Sequence, residues 1–363
     1  MAARSERSYV RIRFAELAKR TSSPTLRDVG QRARVDPSVV SKLLSGDPSL
    51  NVRPETRKKV WQAVHELGYH RNALARGLRL SRAMTIGYLL PDLVNPANAA
   101  LVGGAQRAAA AYSYTLIIGS VVGYEEAKDG FARLLGEGRV DGLLVNTGAM
   151  SDEEVLELAA SHRPVVLVNR SVKGAACSVI FDDETAAITG TNHLIELGHR
   201  RLAHIGGPEL ADTAQRRRAG FLKAARRGKV SASVAHATGW GVQEGYTAAM
   251  RLLQAKTPTG VLAANVPIAT GVIRAGFELG LQVPRDLSVV AMHDSREAQM
   301  TIPALTTVTT PIEELGATAV NHLVALIEGR RVPKLTMVRK PQPTVIPRQS
   351  TARYADHEGL SPR

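Results

Sequence analysis

The chain has 363 residues, of which 44% are hydrophobic and 22% are charged, and Cys177 is its single cysteine. This composition is typical of a globular protein with a sizeable core, and one cysteine excludes a disulfide framework or a cysteine metal cluster within one chain. The net charge is +14, and residues 1–82 contribute +11 of it, with 18 Lys and Arg against 7 Asp and Glu. A steep concentration of positive charge in one segment favours nucleic-acid binding over a merely solvated basic face.

Residues 1–23 are basic and weakly patterned, and we expect a flexible arm. They contain no uninterrupted apolar stretch of signal-peptide length, and no later stretch is apolar for long enough to span a bilayer. We therefore expect a cytoplasmic protein with no membrane partner.

The stretch TLRDVGQRARVDPSVVSKLLSG predicts two short helices joined by a tight turn. Thr25 is a favourable N-cap, and Asp28 stands three residues later as its capping-box partner. Asp36 caps the second helix, whose first position is taken by Pro37. Two short helices joined in this way are typical of a helix-turn-helix, whose second helix enters the major groove of DNA. An ordinary helical hairpin is the alternative.

The second helix has two different sides. Its buried side is supplied by Val39, Val40, Leu43 and Leu44, and its outward side by Ser38, Ser41 and Lys42. A third helix follows from Pro54 to a stop at Gly68, with an apolar stripe that covers the first two helices.

The segment HRNALARGLRLSRA predicts a short helix that begins after Asn72 and runs to about Leu78. A helix of this length is not stable alone, and Gly77 weakens it further. We expect it to be ordered only when something holds it, and a plain linker is the alternative.

From Met84 onward, apolar runs alternate with helical patterns, which favours parallel sheets built from βαβ units. We count about nine strands, in two series that divide near Asp182–Asp183, with a helix around Glu313–Glu328 in the second series. This pattern predicts two similar lobes with a cleft at the carboxyl ends of the strands. The segment PTVIPRQST adds a final strand, and residues 352–363 are expected to be disordered.

The order of these parts resembles the lactose-repressor (LacI/GalR) family of bacterial transcription regulators. The resemblance runs from about Thr25 to Thr351 and depends on several motifs, among them PETRKKVWQAVHELGY, NALARGLR, TIGYLLPDLVNP, HLIELGHRRLAHIGG, VPRDLSVV and PALTTVTTPIEELG. It implies an all-α helix-turn-helix headpiece, a hinge helix and a two-lobed α/β core of the periplasmic-binding-protein type.

The resemblance also implies which residues bind DNA. Pro37, Ser38 and Lys42 fall where the family contacts base edges, and Lys42 stands where Arg is common. Leu78 falls on the hinge leucine that enters the minor groove as an apolar wedge. Arg71 replaces the usual proline before the hinge helix. The full predicted set is Thr25, Pro37, Ser38, Val39, Ser41, Lys42, Asn72, Ala75 and Leu78.

In the core, the resemblance implies an effector site. Trp240 matches an aromatic that stacks on the ligand, and Arg217 matches an arginine that holds ligand hydroxyls or carboxylates. His293–Asp294 replaces the usual pair of aspartates, and Ala97–Asn98 sits where two aromatics are common. The full predicted set is Ala97, Asn98, Asn146, Arg217, Trp240, Asn265, His293 and Asp294.

The predicted function is a repressor that binds a pseudo-palindromic double-stranded DNA operator as a homodimer, controlled by a small effector that is a sugar or a sugar derivative. No enzyme activity, catalytic residue, cofactor or metal is predicted, since no nucleophile–base pair or nucleotide motif is found. The alternative is a solute-binding receptor without a DNA role. The predicted division is an arm (1–23), the DNA-binding domain (24–70), the hinge (71–82), the core (83–351) and a tail (352–363).

Overall fold

The computed structural model describes residues 24–45, 47, 49–69, 82–91, 93–120, 129–130, 133–146, 151–160, 163–175, 177–255 and 258–354. The chain divides into two compact units, residues 1–80 and 81–363. The predicted hinge helix and the whole of the predicted arm lie outside the described residues, as does most of the tail. The finer five-part division stays a prediction.

The first unit contains three helices, α1 (Leu26–Ala33), α2 (Pro37–Ser45) and α3 (Pro54–Leu67). The predicted capping box is present at the start of α1: the Asp28 carboxylate accepts a 2.7 Å hydrogen bond from the Thr25 backbone N–H, and Thr25 Oγ1 accepts from the Asp28 N–H. Arg34 adopts the left-handed conformation with φ of 57° and ends α1. Asp36 Oδ1 accepts from the Ser38 N–H at 2.8 Å, as expected of a cap on α2.

One small core holds the three helices together. It consists of seven buried side chains, Val29, Ala33, Val40, Leu43, Val60, Ala63 and Tyr69. The helix α3 contributes its predicted apolar stripe and ends at Gly68, whose φ of 60° suits a residue without a Cβ. Because so few apolar groups are buried, helix capping is a substantial part of the stability of this unit.

The second unit alternates strands and helices along most of its length. In chain order its elements are β1 (Thr85–Leu90), α4 (Pro96–Ala111), β2 (Thr115–Ser120), β3 (Gly142–Val145), α5 (Asp152–Ala160), β4 (Val165–Val168), β5 (Ser178–Phe181), α6 (Asp183–Glu196), β6 (Arg201–Gly206), α7 (Asp212–Arg227), β7 (Ser231–His236), α8 (Val242–Ala255), β8 (Gly260–Ala263), α9 (Val266–Glu278), β9 (Ser288–Met292), α10 (Arg296–Met300), β10 (Thr306–Val308), α11 (Ile312–Ile327), β11 (Leu335–Val338) and β12 (Val345–Ile346).

The strands form two six-stranded sheets, which define a first and a second lobe. The first sheet has the order β11-β5-β4-β3-β1-β2 and is parallel throughout. The second has the order β12-β10-β9-β8-β6-β7 and is parallel except for β12, which pairs antiparallel with β10. The two-lobed α/β fold and the final strand are therefore confirmed.

The chain passes between the lobes three times: at Asp182, at residues 309–311 and at residues 339–344. The predicted division near Asp182–Asp183 is confirmed, but the assignment of the last long helix to the second lobe is wrong. The helix α11 packs on α4 and the first sheet. Gly104 and Gly316 permit this close approach, because a Cβ on Gly104 would lie 2.0 Å from the Glu313 carbonyl oxygen and one on Gly316 would lie 2.2 Å from that of Leu101.

The described residues form twelve strands, against the nine or so that the sequence predicts. The strands without a predicted counterpart are β5, β7, β10 and β11. Two of them, β7 and β11, lie at sheet edges and are half-exposed or exposed, so they lack the apolar runs that mark the central strands.

Candidate functional site

The headpiece, residues 25–69, presents part of α2 and its flanks to solvent. Ser38 and Lys42 on α2 are exposed, as is Thr25 before α1, while Pro37, Val39 and Ser41 are half-buried. Ser41 is thus less exposed than the outward position predicted for it, because it lies beside the buried side of α2. The predicted residues Asn72, Ala75 and Leu78 lie outside the described residues.

The headpiece helices and their flanks carry many positively charged side chains. They include Arg27, Arg34, Lys42, Arg53, Arg57, Lys58 and Lys59, all of them exposed. Exposed arginines and lysines can approach DNA phosphates without a desolvation cost to the fold. Trp61 lies beside them on α3 and is 52% exposed, although Trp is ordinarily well buried.

A cavity of about 280 Å³ lies between the two lobes of the core. It lies outside the carboxyl ends of the strands, where open α/β sheets bind their ligands. Seven of the eight predicted effector residues line it. These are Ala97, Asn98 and Asn146 from the first lobe and Arg217, Trp240, Asn265 and His293 from the second.

Arg217 is the most constrained charged group in the cavity. Its side chain is 3% exposed, and Nε donates to Asp183 Oδ1 at 2.7 Å while Nη1 donates to the Ala264 carbonyl at 2.8 Å. Nη2 donates to Nε2 of His293 at 2.9 Å. Within the described part of the chain, these bonds use three of the five guanidinium N–H groups, which leaves one on each terminal nitrogen for a ligand.

The contact with Arg217 determines the state of His293. Because a guanidinium has no acceptor, His293 Nε2 must be unprotonated, and Nδ1–H donates to Thr310 Oγ1 at 2.6 Å. Burial, together with the neighbouring Arg217 charge, holds the pKa of His293 well below its ordinary value. His293 is therefore neutral and gives the cavity floor no negative charge.

Trp240 and Asn265 are linked by their own hydrogen bond. Asn265 Nδ2 donates to the Trp240 carbonyl at 2.9 Å, and Asn265 Oδ1 caps α9 by accepting from the Ile268 N–H at 2.8 Å. The indole ring lies against Gly207, where a Cβ would come within 2.4 Å of it. The guanidinium carbon of Arg217 lies 5.6 Å from the centroid of this ring, in the range of a cation–π contact.

Asp294 is the one predicted effector residue that the structure does not bring to the cavity. Its carboxylate accepts from Arg348 Nη2 at 2.7 Å and from Thr307 Oγ1 at 2.6 Å. His293 has a φ of 66°, and the chain turns there, so the neighbouring Asp294 is held by β10 and the C-terminal segment instead.

Several lining residues were outside the predicted effector set. They include Asn95, Asp152, Asn169, Arg170, Ser171, Asp212 and Thr213. Three of them, Asn95, Asn169 and Arg170, lie on strand ends that the sequence predicts to face the cleft, although they are not in the predicted effector set. Asp212 and Thr213 begin α7, and no motif or periodicity in the sequence indicates that they line a cavity.

The chain is similar to known proteins in both of its units. Residues 25–72 match the model of the bacterial regulatory proteins, lacI family, and residues 191–351 match a periplasmic binding protein-like domain. The HTH-type transcriptional repressor PurR of Erwinia tasmaniensis is 34% identical over 340 residues, which are 90% of this chain and 97% of that protein. The catabolite control protein A of Priestia megaterium is 32% identical over 85% of this chain and 94% of that protein.

The chain belongs to the LacI family of bacterial regulatory proteins. A solved structure of the Lac repressor dimer bound to operator and the anti-inducer ONPF is 28% identical to this LacI-family chain. Its TM-score is 0.75, and the match covers 91% of this chain and 100% of that one. Like these relatives, the chain is a transcriptional regulator with a DNA-binding and an effector-binding region. The similarity to these regulators rules against the alternative of a receptor without a DNA role.

The described part of this LacI-family regulator contains no cluster of His, Cys, Asp and Glu able to hold a metal ion. Within the same residues, no helix is both long and apolar enough to cross a membrane. The relatives named above are transcriptional regulators rather than enzymes.

Proposed function

We propose that this regulator is a repressor that binds a pseudo-palindromic operator as a homodimer, and that a small polar effector in the interlobe cavity controls its affinity for DNA. The observation that carries the proposal is a ligand-sized cavity lined by both lobes, in the same chain as a helix-turn-helix with an exposed basic surface. Because such a ligand contacts both lobes, its binding shifts the equilibrium between the open and closed arrangements of the lobes.

In the headpiece, the proposed base contacts come from Pro37, Ser38 and Lys42, supported by Thr25, Val39 and Ser41. Lys42 is a single point charge and lacks the fork with which Arg holds guanine. The hinge residues Asn72, Ala75 and Leu78 complete the proposal. The relative solved as a dimer on its operator supports the proposed assembly.

The proposed effector is a sugar or sugar derivative of about one ring. A cavity of about 280 Å³ lies at the lower end of the range for small-molecule sites. Arg217 offers two N–H donors side by side, which suits two neighbouring oxygen atoms on a ring. The indole of Trp240 provides an apolar surface within the same cavity. Asp294 is left out of the proposed site because its carboxylate is bound elsewhere.

The DNA-binding half is tested by selecting binding sites for the full-length protein from random DNA. We expect selected sites with two-fold symmetry, and a logarithmic affinity that falls linearly with the logarithm of salt concentration by about 0.9 for each phosphate neutralised. Selected sites without symmetry, or binding that ignores both sequence and salt, would show that the proposal is wrong.

The effector half is tested by a thermal-shift screen of sugars, sugar phosphates, nucleosides and small acids on the full-length protein. A ligand at a hundred times its Kd stabilises the folded state by about 2.7 kcal/mol. Trp240→Ala should abolish the response of operator binding to any ligand found, with little change in DNA affinity itself. If operator binding by this variant responds to the ligand as the wild type does, Trp240 is not part of the effector site.

A further inference from the structure

Two hydrogen bonds cross the mouth of the cavity from one lobe to the other. The Ser171 backbone N–H donates to Asp212 Oδ2 at 2.8 Å, and Arg216 Nη2 donates to Asn169 Oδ1 at 3.4 Å. Asn169 and Ser171 follow β4 of the first lobe, whereas Asp212 and Arg216 belong to α7, which packs on α6 and the second sheet. Both bonds must break when the lobes separate.

On the second lobe, ion pairs hold Arg216 and Asp212 in position. Arg216 donates from Nε and Nη2 to Asp183 Oδ2 at 3.1 and 2.7 Å, and from Nη1 to Asp212. Asp183 has no exposed side-chain surface, and its other oxygen accepts from Arg217 on the cavity floor. One carboxylate therefore connects the residues that cross the cleft to the residue proposed to hold the effector.

The first-lobe half is also held in position. Asn169 has a φ of 57°, a left-handed conformation that Asn adopts more readily than most residues. Its backbone N–H donates to the Val179 carbonyl at 2.8 Å, which fixes the loop to β5. The Asn169 side-chain Oδ1 and the Ser171 backbone N–H thus face α7, where Arg216 supplies the donor and Asp212 the acceptor.

We propose that Asn169, Ser171, Asp212 and Arg216 form a latch that holds the lobes closed over the cavity before an effector binds. Asn169, Ser171 and Asp212 also line the cavity, so a ligand must enter while the latch is open. Asp212 and Arg216 are thus positioning residues that set effector affinity through the closed population. That role in effector binding rests on the proposed function, but the latch itself is measurable without effector or operator.

The experiment measures the distance between two spin labels, one on each lobe. The labels are attached to Glu157→Cys on α5 and Arg218→Cys on α7, and both positions are exposed. Native Cys177 is 1% exposed, and burial raises its pKa to about 11, so its thiol does not compete for the label. The full-length protein is diluted with unlabelled protein so that each assembly carries one labelled chain.

We expect one main short distance in the labelled wild type and an added longer distance in Asp212→Ala. The open population should rise about tenfold, which corresponds to 1.4 kcal/mol. Asp212→Glu keeps the carboxylate and should restore most of the closed population. Glu184→Gln is the matched control, because Glu184 pairs with Lys223 within the second lobe and, among the residues that the structure describes, makes no bond across the cleft.

A second readout is hydrogen exchange of peptides that contain the Ser171 amide. Its exchange should be slow in the wild type and in Glu184→Gln and at least tenfold faster in Asp212→Ala, at an unchanged midpoint of thermal unfolding. The proposal is overturned if Asp212→Ala leaves both the distance and the exchange as in the wild type, if Glu184→Gln changes them equally, or if the wild type already shows the long distance. None of these outcomes depends on operator binding.

Discussion

The headpiece and the cavity of the core use charged side chains in opposite ways. In the headpiece, the arginines and lysines that the structure describes are all exposed. In the core, Arg217 and Asp183 are buried and bound to each other, and Arg216 is 17% exposed with two carboxylate partners. Surface charges contribute little to the free energy of folding, whereas a buried charge without its partner is costly.

In the headpiece, the charged residues available to bind DNA therefore contribute little to stability. In the cavity, the charged residues both shape the ligand site and stabilise the fold. A substitution of an exposed headpiece cation should alter DNA binding and leave the fold intact. A substitution in the fully buried Asp183–Arg217 pair of the core should alter both the ligand site and the free energy of unfolding.

The largest effect is expected for Asp183→Ala. This change leaves the Arg217 guanidinium buried without its carboxylate and removes one partner of Arg216, so the core should lose about 3–5 kcal/mol of its free energy of unfolding. Urea denaturation of the full-length protein measures the loss.

Glu184→Ala is the matched control, since it removes the next carboxylate along α6. Its partner Lys223 is 67% exposed, and we expect a change of about 0–1 kcal/mol. Equal losses for the two variants would contradict the contrast between buried and exposed charges.

The stability of the core should depend on pH through the buried His204. Burial lowers the pKa of His204 to about 4, and its Nδ1 lies 2.8 Å from the Leu262 carbonyl oxygen. The unfolded chain then binds more protons than the folded one below pH 6.5. Stability from this group is complete above pH 6.5 and falls by about 3 kcal/mol as the pH drops toward 4.

Denaturation midpoints of the wild type and His204→Gln across this pH range measure the effect. The variant should be less stable at pH 7, and its stability should fall by less between pH 6.5 and 4, because one buried neutral histidine is absent. His293, also buried, lowers the stability of both proteins over the same range. Parallel pH profiles would show that His204 does not titrate as expected.

The sequence predicts the headpiece in more detail than the cavity. The capping box of Thr25 and Asp28 and the stop at Gly68 are local features, and all of them are present. Their physical cause lies within a few residues of chain, so pattern alone is sufficient to find them.

The cavity depends on contacts between distant parts of the chain. Arg217 and His293 are 76 positions apart, and Asp294, although next to His293 in the chain, bonds to Arg348 and Thr307 instead of lining the cavity. The resemblance to a family indicated the residue positions, but not that His293 would be a neutral acceptor. The helix α11 was assigned to the wrong lobe for the same reason, since the close packing of Gly104 and Gly316 has no signature in the local sequence.

On the headpiece surface, a substitution should change DNA recognition without changing stability. Lys42→Ala should lower discrimination between operator variants by about 1–3 kcal/mol while leaving the free energy of unfolding within about 0.5 kcal/mol of the wild type. Binding to a panel of operator variants at one salt concentration measures the discrimination.

Lys42→Arg is the informative companion variant. An arginine keeps the charge and adds a fork that holds guanine at two atoms, so we expect affinity to be retained and the preferred base to shift toward guanine. If Lys42→Ala weakens binding to every operator variant equally, Lys42 contacts phosphate rather than a base.

The smallest effect is expected at the start of α1. Thr25→Ala removes the acceptor for the Asp28 N–H, and we expect the headpiece to lose about 1 kcal/mol of stability, with hydrogen exchange of α1 amides about fivefold faster. Thr25→Ser retains the hydroxyl oxygen and should behave as the wild type. Exchange in the core strands should be unchanged in both variants. Faster exchange in Thr25→Ser as well would assign the effect to the lost methyl group rather than to the cap, and would weaken the conclusion that local capping supports a unit whose apolar core is so small.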